Sequence, residues 1–326
     1  MIQNTFKQRV IGIDISLEYT TYAIVDVRGN IIAKDFLYTQ EYPNINEFVS
    51  NLCEKAMMLA EANGGYENIR SVGVSAPSAN FLTGCIEYSP RMPWKGEVPL
   101  AALMRDRLGL AVAVANDAHV RGLGEQAFGC AHGMKDFIIL ALGFGLGSCC
   151  FSNGVPHLGY HGYAGEIGHT CIVEGGRKCD CGNLGCLEIY CAHKGIIKNA
   201  YDVLAESDEP SLMRDCEKLD PKIIADMCDK GDKLAIEVYR RAGSILGLGI
   251  ANYTSVFNPE AIIFTGGISR AGKWLLEPCN EAFEKYVFHN VHGKVKILTS
   301  ILEESDRDVL GASVLAWGMK EYSLFK

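Results

Sequence analysis

The chain has 326 residues, a formal net charge of -8 at pH 7, 48% hydrophobic residues and 21% charged residues. These are ordinary globular values, which exclude an extensively disordered chain, and the length predicts about two domains of ~150 residues each. The acidic balance excludes the basic surface that nucleic-acid binding requires, and no apolar run approaches the ~20 residues that a membrane-spanning helix needs.

Cysteine usage and the N-terminus indicate the compartment. Thirteen cysteines are an odd number for a disulfide framework, and residues 1–9 are polar and show no signal peptide. In a chain without an export signal, cysteines are better interpreted as reduced thiols together with a metal site. We therefore expect a cytoplasmic protein.

The first part of the chain alternates predicted strands and helices. Apolar runs rich in β-branched residues predict strands, and longer amphipathic segments predict helices. The predicted strands are 10–15, 21–27, 31–38, 71–76 and 111–115, and the predicted helices are 45–62, 100–108 and 118–128. Such alternation is typical of an α/β sheet with helices on its faces.

The second part begins with the same kind of pattern. Strands are predicted at 137–142, 148–152, 261–264 and 295–298, and helices at 189–205, 221–228, 234–257 and 308–322. The order strand, polar turn, strand, glycine turn repeats that of residues 11–29. This repeat indicates two related domains, although hairpins are common enough to recur by chance. We expect a small domain 1–117 joined by a C-terminal helix 304–326, and a large domain 118–303.

A cysteine-rich segment at 166–188 is the most specific feature of the chain. His169, Cys179, Cys181 and Cys186 offer one imidazole and three thiols, which is a ligand set of structural zinc. Gly182 and Gly185 would let the backbone turn tightly enough to bring the thiols together. The alternative is chance clustering in a chain with many cysteines.

Two carboxylates bracket the predicted zinc ligands. Glu166 and Glu188 are hard oxygen donors that a site filled with thiolates does not prefer. We therefore expect both to accept hydrogen bonds from a polar molecule held beside the loop.

Three further segments carry groups suited to phosphate chemistry. Asp117 follows strand 111–115, where it is either a helix N-cap or a carboxylate held at the end of a sheet strand. The turn 143–147 contains Gly143, Gly145 and Gly147, and its N–H groups could form a concavity for anions, although the glycines also suit a simple hairpin. Gly266 and Gly267, between a strand and a helix, would allow close approach of a nucleotide.

The motifs resemble those of one known family. The sequence G-E-I-G-H, followed by C-x-C-G-x-x-G-C-L-E, resembles the signature of the ROK family of repressors, open reading frames and sugar kinases. The resemblance extends from Ile11 to Ala316. It includes the motif N-D-A, which begins at Asn116, and the motif G-E-x-x-F-G that follows it. It implies a two-domain actin-like ATPase fold, related to ribonuclease H, with an interdomain cleft and a zinc-bound loop.

The resemblance also implies roles for individual residues. Asp117 would be the general base that takes a proton from a sugar hydroxyl, and Asp14 would orient the water shell of Mg²⁺ between nucleotide phosphates. The glycines of the two glycine segments would bind ATP. The positions that match the family's hydroxyl-binding residues are Asn116, Glu166, His169 and Glu188. Zinc with four protein ligands would be structural, and a homodimer is the assembly that the family implies.

The chain departs from the family in its phosphate loops. Residues 14–18 read D-I-S-L-E where the family has D-I-G-G-T, and Phe144 replaces the threonine of G-T-G. Two hydroxyl groups that would meet phosphate are therefore missing, and Glu18 adds a negative charge. Thr20, Thr21 or Ser148 are the available substitutes. Arg91 also replaces a family asparagine, either as a substrate contact or as a surface arginine.

These features lead to three hypotheses. The main one is an ATP-dependent kinase that phosphorylates a hexose or N-acetylhexosamine, of glucose type, at the 6-hydroxyl. The alternative is a catalytically weak or inactive sugar-binding sensor. A DNA-binding repressor is the third, and it is disfavoured because only about ten residues precede the first strand.

Overall fold

The computed structural model describes residues 7–319. Within that range the chain forms two compact units. Unit 1 contains residues 7–132, 158–163 and 301–319, and unit 2 contains residues 133–157 and 164–300. No helix in the described range is both long and apolar enough to cross a membrane.

The strands and helices of the described residues are numbered in chain order. The strands are β1 Arg9–Ile15, β2 Tyr19–Asp26, β3 Ile31–Tyr38, β4 Ile69–Ser75, β5 Ala79–Asn80, β6 Cys85–Glu87, β7 Glu97–Val98, β8 Ala111–Ala115, β9 Phe137–Leu142, β10 Leu146–Ser152, β11 Val155–Pro156, β12 Ala261–Thr265 and β13 Lys296–Thr299. The helices are α1 Ile45–Ala62, α2 Leu100–Leu108, α3 Asp117–Phe128, α4 Glu188–Cys191, α5 His193–Glu206, α6 Pro221–Asp229, α7 Lys233–Phe257, α8 Lys273–Tyr286 and α9 Glu304–Trp317.

The main sheet of unit 1 has the strand order β3-β2-β1-β4-β8. The three outer strands β3, β2 and β1 are antiparallel, whereas β1, β4 and β8 run parallel. Parallel neighbours require crossover connections, which α1 and α2 provide. The parallel strands therefore end at one edge of the sheet, and Asp14 and Asp117 lie there.

Side chains alternate between the two faces of this sheet. Ile11, Ile13 and Ile15 pack in the core that α1 and α2 cover. Gly12 and Gly73 lie on the opposite face, beneath α9, where an added Cβ would come within 2.2 Å of Val309 O and 1.9 Å of Ala312 O respectively. Glycine thus lets α9 approach the strands closely, and the same face carries Asp14.

The main sheet of unit 2 repeats the arrangement. Its order is β11-β10-β9-β12-β13, again with three antiparallel strands followed by parallel ones. Its helical side forms one core, to which β9 contributes Ile138, Leu140 and Leu142 and α7 contributes a continuous buried stripe. The predicted duplication is therefore confirmed at the level of topology.

Several predicted boundaries are wrong. The segment 189–205 is two helices, α4 and α5, because Ala192 between them has extended backbone, with φ -87° and ψ -176°. The glycine turn is shorter than predicted, since Leu146 and Gly147 already pair in β10 with Leu142 and Ala141. The last helix begins at Glu304, as the predicted C-terminal helix 304–326 has it and not at Asp308 as the chain-order prediction 308–322 has it. Both predicted ends, at 322 and 326, lie outside the described residues.

The contacts of α3 also bear on the expected domain division at Asp117–Ala118. This helix packs against α9, where Gly311 would clash with Val120 O if it carried a Cβ. Unit 1 therefore continues through His132. The assignment of residues to functional domains stays a prediction.

Candidate functional site

The cysteine box of unit 2 folds as a compact loop. Lys178 and Leu184 form a backbone bridge, and Cys179 N donates to Asn183 O at 2.9 Å. Gly182 and Gly185 have positive φ angles of 96° and 76°, a conformation that favours glycine, and they close the turn. This geometry brings Cys179 and Cys181 toward Cys186.

The four predicted zinc ligands come together as a cluster. One ligand atom each from His169, Cys179, Cys181 and Cys186 lies within 4.8 Å of the other three. The Cys181 and Cys186 sulfurs are 3.6 Å apart, and Cys179 Sγ is 3.8 Å from His169 Nδ1. A tetrahedral ion with Zn–S and Zn–N bonds of ordinary length would place its ligands about 3.5–3.8 Å apart. The cluster therefore fits a four-coordinate structural zinc ion.

The thiols of the cluster must lose their protons before they can bind a metal ion. Burial, followed by the neighbouring thiols, raises the pKa of Cys186 to about 12. Binding of a metal would therefore release these protons. Because Nδ1 of His169 faces the sulfur of Cys179, Nε2 is the ring nitrogen that remains for a hydrogen bond outside the cluster.

Glu188 links the cysteine box to the glycine turn. Leu146 N donates a 2.8 Å hydrogen bond to Glu188 Oε2, and Glu188 Oε1 lies 4.0 Å from Cys179 Sγ. A Cβ on Gly145 would lie only 2.5 Å from the same carboxylate. A side chain at this position would therefore have to push the Glu188 carboxylate away from Leu146 N.

The glycine turn offers fewer free donors than the sequence predicted. Gly143 N donates to Gly145 O, and Leu146 N is bound to Glu188. The Phe144 ring is exposed and packs against His193, with ring centroids 5.0 Å apart. Gly266, the other predicted nucleotide contact, has a φ of 89°, and its Cβ position is 2.3 Å from Leu142 O, at the start of the same turn. Both glycine segments thus meet at the end of β9.

Asn116, rather than Asp117, caps α3. Its side-chain oxygen accepts from Ala118 N at 2.9 Å, and its backbone is extended as an N-cap requires. Asp117 is the first residue of the helix, and its Oδ1 also lies 2.9 Å from Ala118 N. About a third of the Asp117 side chain is exposed. The helix therefore does not depend on Asp117 for its cap.

A partly buried ionic cluster includes Asp117 and Asp14 in unit 1. Arg121 binds Asp308 through Nε at 2.8 Å and Nη2 at 3.1 Å, and its Nη1 is 3.6 Å from Asp117 Oδ2. Burial, and then the charge of Asp308, raise the pKa of Asp14 to about 7. Burial opposes ionisation of Asp308 as well, but the charges and hydrogen bonds of Arg121 and Arg307 together outweigh it and lower the pKa of that carboxyl.

The predicted site residues are divided between the units. Unit 1 contains Asp14, Asn116 and Asp117, and unit 2 contains Gly143, Gly145, Gly147, Glu166, His169, Cys179, Cys181, Cys186, Glu188, Gly266 and Gly267. Glu166 is exposed and directly precedes the single helical turn Ile167–His169. Arg121 and Asp308 were not predicted. Arg121 follows Asp117 by four residues on α3, a spacing that brings two helical side chains together and could have indicated Arg121. Nothing in the sequence points to Asp308 as its second partner.

Two of the expected substitutes for the missing threonine hydroxyls are already engaged. The Thr20 hydroxyl is buried and 2.9 Å from that of Thr39. Ser148 donates to Gly165 O and accepts from Ile167 N. Thr21 is half-buried in β2. Glu18 is exposed in the turn between β1 and β2.

Known proteins share this sequence and architecture. The sequence model of the ROK family matches residues 10–318. A glucokinase from Halalkalibacterium halodurans is 31% identical over 94% of this chain and 94% of its own length. A crystal structure of a ROK family glucokinase from Streptomyces griseus in complex with glucose and AMPPNP is 28% identical, with a TM-score of 0.75 over 95% of this chain and 99% of that one. A xylose repressor from Caldicellulosiruptor bescii is 25% identical over 90% of this chain and 75% of the repressor.

The family match agrees with the motifs and with the paired sheets. The two five-stranded sheets of equal topology correspond to the actin-like ATPase fold of the ROK kinases, so the predicted fold is confirmed. A match over nearly the whole chain, together with a relative above 30% identity, identifies the family. The chain belongs to the ROK family.

Proposed function

We propose that this chain is a sugar kinase that transfers the γ-phosphate of ATP to a hydroxyl group of a hexose or N-acetylhexosamine. The observation that carries the proposal is the placement of Asp117 at the end of β8, with the capping of α3 left to Asn116. A partly exposed carboxylate at the carboxyl end of a parallel strand is available for proton transfer. The glucokinases among the relatives support the same activity.

In this proposal Asp117 acts as the general base. It accepts the proton of the sugar hydroxyl as that oxygen forms a bond to the γ-phosphorus, while the bond from phosphorus to the β-phosphate oxygen breaks and ADP leaves. A correctly placed base contributes about 10²–10⁴ in rate. We further propose the 6-hydroxyl of a glucose-type sugar as the acceptor.

Sugar recognition is proposed for the polar groups that match the family. Asn116 uses its side-chain oxygen as the helix cap, so its amide nitrogen is the part left to donate to a hydroxyl. Glu166, Glu188 and the outward nitrogen of His169 would bind further hydroxyls from the zinc loop. Recognition of a sugar needs several polar groups that bind its hydroxyls, and these residue types can supply them.

The metal and nucleotide contacts are also proposals. Mg²⁺ would neutralise charge on the transferring phosphate, and Asp14 would hold its water shell. The glycine segments around Gly145 and Gly266 would approach the nucleotide through their backbones. Structural zinc would be held by the cluster of one histidine and three cysteines, with no open position for catalysis.

A sugar-binding regulator is the second candidate function. It is favoured by the loss of both threonine hydroxyls from the phosphate loops and by the engagement of Thr20 and Ser148 elsewhere. The xylose repressor among the relatives gives this candidate further support.

One experiment separates the two candidates. ADP release with Mg-ATP is measured for glucose, mannose, fructose, allose, N-acetylglucosamine and N-acetylmannosamine, and sugar binding is measured in parallel by calorimetry. We expect turnover with at least one sugar, and its loss in Asp117→Ala while sugar binding remains. Sugar binding without turnover in the unmodified protein would exclude the kinase and establish the regulator.

A further inference from the structure

Arg121 and Asp308 form a fork-shaped ion pair between α3 and α9. Nε and Nη2 of Arg121 each bind one oxygen of Asp308, at 2.8 and 3.1 Å, and the side chains are only 17% and 13% exposed. Two parallel charge-assisted hydrogen bonds fix both the position and the plane of a guanidinium group. Arg121 is therefore an oriented group rather than a mobile surface cation.

The remaining arm of the same guanidinium points to Asp117. Nη1 of Arg121 is 3.6 Å from Asp117 Oδ2, while Asp117 Oδ1 lies against Ala118 N at 2.9 Å. Each oxygen of the carboxylate thus faces a positive or donor group, and the side chain remains about one-third exposed. The carboxylate is held from two sides and still open to a reactant.

The charges around Asp117 form a defined set. On its own helix Asp117 faces Arg121, whose guanidinium also binds Asp308 of α9, and Asp14 of β1 lies close enough to interact with Asp117 electrostatically. The buried Arg307 lies behind Asp308, with its Nε 3.4 Å from Asp308 Oδ1, and helps to neutralise it. Without Arg121, three carboxylates would share this partly buried region with one guanidinium group. The close packing of α9 on Gly12 and Gly73 is what delivers Asp308 to this point.

We propose that Arg121, held by Asp308, is a positioning residue for Asp117: it holds the carboxylate in the orientation that proton transfer needs. This inference rests on the proposed kinase function. Arg121 touches no reacting atom and acts through Asp117. The plainer interpretation is a structural ion pair that only ties α3 to α9, and it predicts a loss of stability without any change in catalysis at constant folded fraction.

The test uses a double variant that leaves the net charge of the region unchanged. Arg121→Met combined with Asp308→Asn removes one positive and one negative charge together, and the asparagine oxygen can still accept a hydrogen bond from Arg307, whereas removing one partner alone would be strongly destabilising. Arg121→Lys keeps a positive charge but loses the fork. Lys34→Met is the matched control, because Lys34 forms a separate ion pair with Asp306 of α9, at 2.5 Å, away from Asp117.

The measurements are kcat and the KM for sugar, both on folded protein. For the double variant we expect kcat to fall by about tenfold or more, a fraction of what a general base contributes. The sugar KM should stay within about twofold, because Arg121 is not among the proposed sugar contacts. Arg121→Lys, which keeps a positive charge near Asp117 without the fork, should recover only part of kcat, and Lys34→Met should resemble the unmodified protein.

The outcomes separate this inference from the kinase assignment. If the unmodified protein turns over and Asp117→Ala abolishes turnover, an unchanged kcat in the double variant overturns the positioning role. If no sugar is phosphorylated, the kinase assignment fails. The inference is then decided by crystal structures of the unmodified protein and of the double variant. An Asp117 carboxylate in the same position in both contradicts it, and a displaced or disordered carboxylate in the double variant supports it.

Discussion

The backbone N–H of Leu146 donates a 2.8 Å hydrogen bond to Glu188 Oε2. Leu146 lies at the start of β10, directly after the glycine turn, whereas Glu188 is the second residue after Cys186, the last cysteine of the cluster of one histidine and three cysteines. Two segments with separately predicted tasks, phosphate and sugar binding, are thus joined through one carboxylate. A change at Glu188 should affect both substrates.

Glu188→Ala and Glu188→Gln distinguish the two tasks of this side chain. Alanine removes the acceptor of the Leu146 bond, so we expect the KM for Mg-ATP and the KM for sugar both to rise. The amide oxygen of glutamine can still accept that bond, so Glu188→Gln should raise the sugar KM alone. A lost hydrogen bond of about 0.5–1.5 kcal/mol corresponds to roughly a twofold to tenfold change in KM. Steady-state kinetics with each substrate varied in turn provide the measurement.

Glu174→Ala serves as the control for Glu188, because Glu174 is an exposed carboxylate of the same loop. Neither KM should change in this variant. Equal effects of alanine and glutamine at Glu188 on the KM for Mg-ATP would show that the bond to Leu146 does not support the glycine turn.

The zinc assignment predicts a specific metal content. Elemental analysis of the purified protein should find about one zinc ion per chain, and Cys181→Ser should abolish stable binding, because the hydroxyl group is a far weaker zinc ligand than a thiolate. Cys171→Ser is the matched control, since Cys171 is an exposed cysteine of the same segment that lies outside the ligand cluster. Full zinc retention in Cys181→Ser would remove Cys181 from the ligand set.

The sequence predicted those parts of the site whose residues are close together in the chain. The cysteine box depends on the short spacing of its cysteines and on glycines that adopt positive φ. The spacing and the glycine positions can both be read directly from the sequence. The bend at Ala192 and the short glycine turn were missed because tertiary packing sets them. The ion pair of Arg121 and Asp308 joins positions 187 residues apart, and only the packing of α9 on glycine brings them together.

Asp14 gives the protein a pH-dependent stability. Burial raises the pKa of this carboxyl from its ordinary value of 3.8 to about 7 in the folded protein. Stability from this group is fully present below about pH 4 and is lost as the pH rises to about 7, because the folded state resists the ionised form. Asp14→Asn does not titrate. Its midpoint of urea unfolding should therefore exceed that of the unmodified protein at pH 8, with the difference shrinking toward pH 4.

The Asp14 experiment is performed with EDTA, since a bound divalent cation would favour the ionised carboxylate. Glu54→Gln is the control, because it removes an exposed carboxylate from α1 in the same unit. The difference in the midpoint of urea unfolding between Glu54→Gln and the unmodified protein should not grow from pH 4 to pH 8. A pH-independent difference for Asp14→Asn as well would show that Asp14 is ionised in the folded state throughout the range.

Gly73 is predicted to be essential for the packing of α9. A Cβ at this position would lie 1.9 Å from Ala312 O and 2.8 Å from Ala316 N, both of which are backbone atoms that cannot move away singly. Gly73→Ala should therefore displace α9 and destabilise unit 1 by about 1–3 kcal/mol, the usual cost of overpacking.

Gly318→Ala is the control, because its nearest contact would be an ordinary 3.5 Å, to Leu315 O. Because α9 carries Asp308, Gly73→Ala should also lower kcat in the protein that remains folded, whereas the control should change neither quantity. Wild-type stability and kcat in Gly73→Ala would show that the sheet accommodates the methyl group without moving the helix.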